Sequence, residues 1–333
     1  MKNKEIVASG IRPTGNLHLG NYFGAIKSFL KMQDEYNCFF FIADWHSLTT
    51  HPNPINLRQS VNTILAEYLA CGLDPEKVTI YVQSDVREVA ELYLYLNMNA
   101  YLGELARVTT FKDKVRAQPD NVNAGLLTYP TLMASDIIIH RAVKVPVGKD
   151  QEQNLEMARK CARRFNHIYG VEFFPEPASF YFSEKAVKVP GLDGSGKMGK
   201  SEGNAIYLAD DEKTIHKKVM RAVSDSGPTE PNSTKPEAIQ NLFSIMEIVS
   251  EKDTCDFFND KYNACEIRYG DMKKQLAADI NAFCAPIRAR INEIVADEAY
   301  LEKVALTGAE KASSSASQTL DEVRRIIGFK SRI

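Results

Sequence analysis

Ser9-Gly10-Ile11-Arg12-Pro13-Thr14-Gly15-Asn16-Leu17-His18-Leu19-Gly20-Asn21 joins a strand-like run, Glu5 to Ala8, to a helix-like run, Tyr22 to Met32. In a parallel α/β sheet such a strand–loop–helix junction binds phosphates, because backbone N–H groups and the helix dipole point at the ligand. Gly10, Gly15 and Gly20 allow close backbone approach, and His18 brings ring N–H donors that can reach a phosphate. A second stretch, Gly194-Ser195-Gly196-Lys197-Met198-Gly199-Lys200-Ser201, is a glycine-loosened loop carrying two ammonium groups. A mobile, doubly positive loop suits charge that develops only in a transition state. Taken singly, a His-x-Gly is commonly a turn and a Lys-x-x-Lys commonly a solvated surface. The two together carry the weight.

Working outward, Asn37-Cys38-Phe39-Phe40-Phe41-Ile42-Ala43 is a continuous apolar run, the pattern of a strand buried on both faces. It ends in Asp44-Trp45-His46-Ser47, and polar groups at the carboxyl end of such a strand face the ligand crevice. His46 is therefore a site candidate, though a histidine bonded to a neighbouring loop fits its position equally well. Pro54 to Ala70 reads as a helix with Gly72 just past its end, and Val78 to Val82 as the next strand. This alternation predicts a right-handed parallel βαβ sheet. From Val86 to Tyr101 the pattern is helical. The basic run Arg107, Lys112, Lys114 and Arg116 reads as a solvated face in preference to a nucleic-acid contact.

Gly125 to His140 holds an acid, Asp136, in an apolar helical stretch. Pro130 suits a first helical position. Tyr129, Met133 and Asp136 follow at i, i+4 and i+7, on one side of the helix. Buried, Asp136 must find a donor or take up a proton. An indole N–H is one natural donor, and a neighbouring backbone group or arginine is the plainer one. Val143 to Val147 reads as a strand ending in Gly148-Lys149-Asp150-Gln151. There Asp150 can bind ribose hydroxyls, cap the helix Glu152 to Phe165, or do both. Pro175 to Pro190 reads as irregular. Beyond Asp210 helical periodicity dominates to Phe329, interrupted by the loop Ser224 to Pro236, so a helical domain is expected there.

Composition narrows the class. The chain has 333 residues, 44% hydrophobic and 25% charged, with a formal charge of −2. It has the length for two domains and a real core, and no global attraction to nucleic acid, so any RNA contact must come from local basic patches. Cys38, Cys71, Cys161, Cys255, Cys265 and Cys284 form no Cys-x-x-Cys pair, which argues against a structural zinc site. With no run of about 18 apolar residues and no apolar leader, a reduced, cytoplasmic protein without membrane contact is expected.

In this order the two opening stretches resemble the signatures of the class I aminoacyl-tRNA synthetases: His18-Leu19-Gly20-Asn21 for "HIGH" and Lys197-Met198-Gly199-Lys200-Ser201 for "KMSKS". Gly125 to Ile139, Val145-Pro146-Val147-Gly148-Lys149-Asp150-Gln151 and Ala222-Val223-Ser224-Asp225-Ser226 extend the likeness over nearly the whole chain. Within that class they resemble the bacterial tryptophanyl-tRNA synthetase family. The resemblance implies an α/β fold: a Rossmann-like parallel-sheet catalytic domain over 1–210, with a helical insertion at about 86–140, and an all-α anticodon-recognition domain over 211–333.

It further implies ATP contacts from Arg12, Pro13, Thr14, His18, Gly20, Asn21, Gly148, Lys149, Asp150 and Lys188, and from Lys197, Met198, Gly199, Lys200 and Ser201 of the mobile loop. His18, Asn21, Lys197 and Lys200 would be catalytic. Asp136 would accept the indole N–H, with Tyr129, Met133, Val145 and Val147 around the ring and Gln151 and His46 near the amino acid's polar end. Mg²⁺ would accompany ATP, without protein side chains as ligands. The implied partners are L-tryptophan, tRNA(Trp) and a second copy in a homodimer. Four positions depart from the family pattern. Gly199 replaces a serine and removes one hydroxyl. Lys149 stands where many members carry an acid, Ala8 where an aromatic often flanks the indole, and Arg12 where glutamine is common. The nearest alternatives are a tyrosyl-tRNA synthetase, which shares fold and signatures, a small-molecule nucleotidyltransferase, and a non-catalytic RNA-binding relative.

Overall fold

The structure is a computed structural model describing residues 4–117, 119–146, 152–180, 188–194, 196–200 and 202–330. Among the described residues five strands, β1 (Ile6–Ile11), β2 (Asn37–Ile42), β3 (Thr79–Val82), β4 (Lys144–Val145) and β5 (Ala178–Ser179), form one sheet in the order β3-β2-β1-β4-β5. Every pairing is parallel, with Val7 opposite Cys38 and Phe41 opposite Tyr81. The helices in chain order are α1 (Leu19–Asn21), α2 (Lys27–Glu35), α3 (Pro54–Ala70), α4 (Glu88–Met98), α5 (Leu102–Leu105), α6 (Thr109–Ala117), α7 (Ala124–Ile138), α8 (Glu152–Tyr169), α9 (Glu212–Met220), α10 (Glu237–Val249), α11 (Lys252–Asn263), α12 (Tyr269–Ala296) and α13 (Glu298–Ile327). One π-helical turn, Tyr22–Ile26, follows α1.

The chain divides into two compact units, the first of residues 1–15, 28–185 and 297–333, the second of 16–27 and 186–296. In the first unit the phenylalanine run of β2 is buried on both faces. Phe29 stacks on Phe40 at 4.3 Å from one side, and His140 on Phe39 at 4.0 Å from the other. Because β1, β2 and β3 are parallel and adjacent, their carboxyl ends bring Arg12, the Asp44–His46 turn and Gln83 to one edge of the sheet.

The expected boundary at 210/211 is not where the contacts divide. The last helix, α13, packs along β3, with Ala312, Ala316, Leu320 and Val323 in the same core as Phe41 and Tyr81. Ser315 Oγ lies 3.1 Å from His140 Nδ1, and Arg324 donates to Glu91 at 2.7 Å. In the second unit, Phe23 stacks on Phe283 of α12 at 5.1 Å, and Arg288 donates to the Asp210 carbonyl at 2.6 Å. These contacts draw 16–27 and the end of the expected catalytic segment to the helices α9–α12.

Two local expectations are corrected. Pro130 lies inside α7, not at its start, because Asn123 caps the helix by accepting the Leu126 N–H at 3.1 Å. The buried Leu126, Tyr129, Ala134 and Ile137 hold the helix through the proline. The irregular stretch after Pro175 contains β5, too short for periodicity to register.

Candidate functional site

In the first unit α7 presents Tyr129, Met133 and Asp136 on one side. Asp136 is 1% exposed. Its Oδ1 accepts from Gln83 Nε2 at 2.6 Å, and its Oδ2 is 2.9 Å from His46 Nε2. The partners are thus a side-chain amide and an imidazole, in place of the backbone or arginine that a lone buried acid would suggest, and His46 bonds to a residue of α7 and not to a neighbouring loop. The Gln83 amide is oriented by its other end, where Oε1 accepts the Trp45 N–H at 3.0 Å. Asp44 Oδ1 accepts from the N–H groups of Trp45 and Ser84, both at 3.0 Å, and ties the ends of β2 and β3 together. Burial raises the Asp136 carboxyl above its ordinary range, and the hydrogen bonds from His46 and Gln83 oppose that rise.

Tyr129, with its ring centroid 6.4 Å from that of His46, is fixed through its hydroxyl by Thr110 and by Asn154 Oδ1 at 3.1 Å. Lys114 Nζ stands 3.7 Å from the Tyr129 ring centroid. Burial and the nearby Arg12 charge push its ammonium down to about 8. Arg107, Lys112 and Arg116 are exposed as expected, but Lys114 is not part of that solvated face. Arg12 itself is depressed by burial, and its Nε is buried without a hydrogen-bond partner among the described residues. Pro13 is buried and Thr14 exposed, its N–H closing a turn onto the Arg12 carbonyl at 2.8 Å. Met133 packs against the sheet core that contains Val145.

The second unit brings the two signature stretches together. His18 opens α1, and Asn21 Oδ1 accepts the His18 backbone N–H at 3.1 Å, so the Asn21 side chain sets the entry of the turn. The segment is stitched to 205–208: Leu19 N–H to the Ile206 carbonyl at 3.0 Å and Leu208 N–H to the Leu17 carbonyl at 2.9 Å. A Cβ on Gly20 would stand 2.9 Å from the His18 ring and 3.7 Å from Met198 Cβ, so glycine there reserves the imidazole's place beside the lysine loop. Burial, then the charges of Lys200 and Lys197, push the His18 imidazole down to about 4, leaving it neutral at physiological pH. Its Nδ1 is buried without a partner among the described residues. Met198 is buried at 1% exposure, its N–H bonded to the Val189 carbonyl at 2.9 Å, while Lys197 and Lys188 are exposed and Gly199 and Lys200 half-buried.

Val147, Gly148, Lys149, Asp150, Gln151 and Ser201 lie outside the described residues. Gln83 and Lys114 are the residues that sequence reasoning missed. Gln83 carried a signal, a polar residue at the carboxyl end of a buried strand. Lys114 carried none, since its distance from Tyr129 is set by how α6 meets α7.

Residues 1–285 match the family model of tRNA synthetases class I (W and Y). A tryptophan–tRNA ligase of Porphyromonas gingivalis is 74% identical, covering 98% of this chain and all of that one. A tryptophan–tRNA ligase of Clostridium tetani is 41% identical over 98% of this chain and 96% of its own. The crystal structure of tryptophanyl-tRNA synthetase from Campylobacter jejuni, complexed with ADP and tryptophan, superposes with a TM-score of 0.88 at 35% identity, covering 97% of this chain and 100% of that one.

Proposed function

The chain belongs to the class I tRNA synthetases of the tryptophan and tyrosine family and is a tryptophan–tRNA ligase, and from that premise we propose that the Asp136 pocket selects the amino acid while the His18–lysine cluster acts on the phosphates of ATP. The observation that carries this reading is the convergence of His18 with Lys197 and Lys200 in one unit, from two distant parts of the sequence.

In the first step the tryptophan carboxylate attacks the α-phosphorus of ATP. A P–O bond forms to the carboxylate and the bond to pyrophosphate breaks. No protein nucleophile takes part; positioning and charge stabilisation carry the rate. His18 is neutral, and so donates a hydrogen bond without adding charge to the ground state. Lys197 and Lys200 meet the charge that builds on the departing pyrophosphate. In the second step a ribose 2′- or 3′-hydroxyl of tRNA(Trp) takes the acyl group and AMP leaves. Among the described residues no three His, Cys, Asp or Glu side chains are placed to hold a metal. Mg²⁺ would arrive as the ATP complex, its charge offsetting that of the phosphates, and no residue's role here depends on it.

For the amino acid, Asp136 accepts the indole N–H beside Tyr129, Met133 and Val145, and His46, bonded to Asp136, orients it. Val147 and Gln151 keep this role by resemblance. Arg12, Pro13, Thr14, Gly20, Asn21, Gly148, Lys149, Asp150, Lys188, Met198, Gly199 and Ser201 are assigned to ATP on the same ground. Lys114 joins them, since its charge and that of Arg12 suit an anionic ligand at Tyr129. Anticodon reading is assigned to helices α9–α12, and variants on their exposed faces should raise KM for tRNA without altering pyrophosphate exchange. The run of exposed apolar side chains Leu94, Met98, Tyr101 and Leu102 supports a homodimer; a monomer mass by light scattering at micromolar concentration would oppose it. A translation enzyme of this kind works in the cytoplasm, and among the described residues no helix is long and apolar enough to cross a membrane. The test of the phosphate reading is Lys197→Ala and Lys200→Ala in ATP–pyrophosphate exchange. Each should lower kcat far more than it raises KM for ATP, and an effect confined to KM would refute it.

A further inference from the structure

We propose that Asn204 is the positioning residue of the lysine loop, holding the two lysines in the geometry the transition state requires. It rests on the role proposed for Lys197 and Lys200. Asn204 is 5% exposed, and its side-chain amide grips the loop on both sides of the buried Met198. Oδ1 accepts the Gly199 N–H at 2.8 Å, and Nδ2 donates to the Lys197 carbonyl at 3.1 Å and to Asp193 Oδ1 at 2.9 Å. The Asn204 main-chain carbonyl accepts the Leu192 N–H at 3.3 Å. One residue thus ties the loop's approach, at Leu192 and Asp193, to its functional turn.

The chemistry of these contacts selects an amide. An aspartate would set a second carboxylate against Asp193 and an acceptor against the Lys197 carbonyl. An alanine would leave a backbone N–H and two acceptors without this partner. Space is reserved as well: a Cβ on Gly191 would fall 2.1 Å from Asn204 Nδ2 and 2.5 Å from Asp193 Oδ1, so glycine is required at 191 for the bridge to form. The arrangement also explains why the loop tolerates Gly199. Asn204 holds position 199 by its backbone N–H, which any residue but proline supplies, and the brace offsets the freedom that glycine brings to the chain.

A loop released from this brace keeps its lysines but not their aim, and a misplacement of about 1 Å costs roughly 100-fold in rate. Asn204→Ala should therefore lower kcat for pyrophosphate exchange about 10- to 100-fold, with KM for tryptophan unchanged. Asn204→Asp, nearly isosteric, should lose rate in the same way. In a Lys197→Ala/Lys200→Ala background Asn204→Ala should add less than about twofold, because the brace acts through those side chains. Limited trypsin digestion reads the brace without catalysis. Cleavage after Lys197 or Lys200 should accelerate at least about tenfold in Asn204→Ala relative to wild type, and a thermal melt of the variant excludes global unfolding as the cause. Wild-type cleavage rates, or kcat losses that multiply in full in the triple variant, overturn the proposal. Accelerated cleavage combined with lysine variants of unchanged kcat would leave the brace standing and refute the transition-state role of the loop.

Discussion

Asp136→Asn isolates the contact proposed to decide which amino acid is activated. The substitution keeps the shape of a side chain that is 1% exposed. Its amide oxygen can still accept from Gln83 Nε2 where Oδ1 stands now, at 2.6 Å. Its NH₂, in the place of Oδ2, can donate to His46 Nε2 once the imidazole takes the other tautomer. What the substitution removes is the carboxyl group proposed to accept an indole N–H. A hydrogen bond to a charged group contributes about 1.5–3 kcal/mol, so kcat/KM for tryptophan should fall roughly 10- to 150-fold. Alanine is the poorer probe. It leaves the Gln83 amide and the His46 nitrogen unpaired, at about 1–3 kcal/mol each, and mixes specificity with stability. The assay is pyrophosphate exchange with tryptophan and with its benzothiophene analogue, which has sulfur where the indole carries N–H. Wild type should prefer tryptophan strongly, and Asp136→Asn should lose most of that preference. Equal losses for both substrates would show that Asp136 supports the pocket without reading the ring nitrogen.

Gly20→Ala places a methyl group 2.9 Å from the His18 ring. It should cost at least about tenfold in kcat with the fold intact by circular dichroism, and wild-type exchange would show that the ring position is not critical. The His18 imidazole, held down to about 4, should titrate there by NMR and move upward in Lys200→Ala, whereas titration near 6.5 would contradict the buried, lysine-flanked setting. Because this folded-state value lies below the ordinary one, the unfolded chain takes up the proton first. His18 should therefore make stability fall as pH drops from about 6.5 toward 4, a slope missing in His18→Asn.

Much of the fold is legible in the sequence because local patterns determine it. The Phe39–Phe41 run reads as a doubly buried strand, and Pro54 to Ala70 forms the helix its periodicity requires. The candidate site was legible where chemistry stands out against its background, as with Asp136 in an apolar helix and His18 beside glycines. What escaped depends on tertiary approach. Nothing in the spacing of Gln83 or Lys114 says which side chain each will meet, and α13 reads as one more helix of a helical tail until its small residues are seen against β3. Pro130 misled for a related reason: its local preference for a helix start lost to a cap at Asn123 and to buried neighbours on both sides.

The central claim is that the buried Asp136 carboxylate makes this chain select tryptophan. Pyrophosphate exchange by the purified wild-type protein with each of the twenty amino acids tests it most directly. Exchange should be fastest with tryptophan, with phenylalanine, which lacks the ring N–H, slower by roughly 10⁴-fold. Comparable exchange with tyrosine, or activation of any other amino acid in preference to tryptophan, would contradict the account.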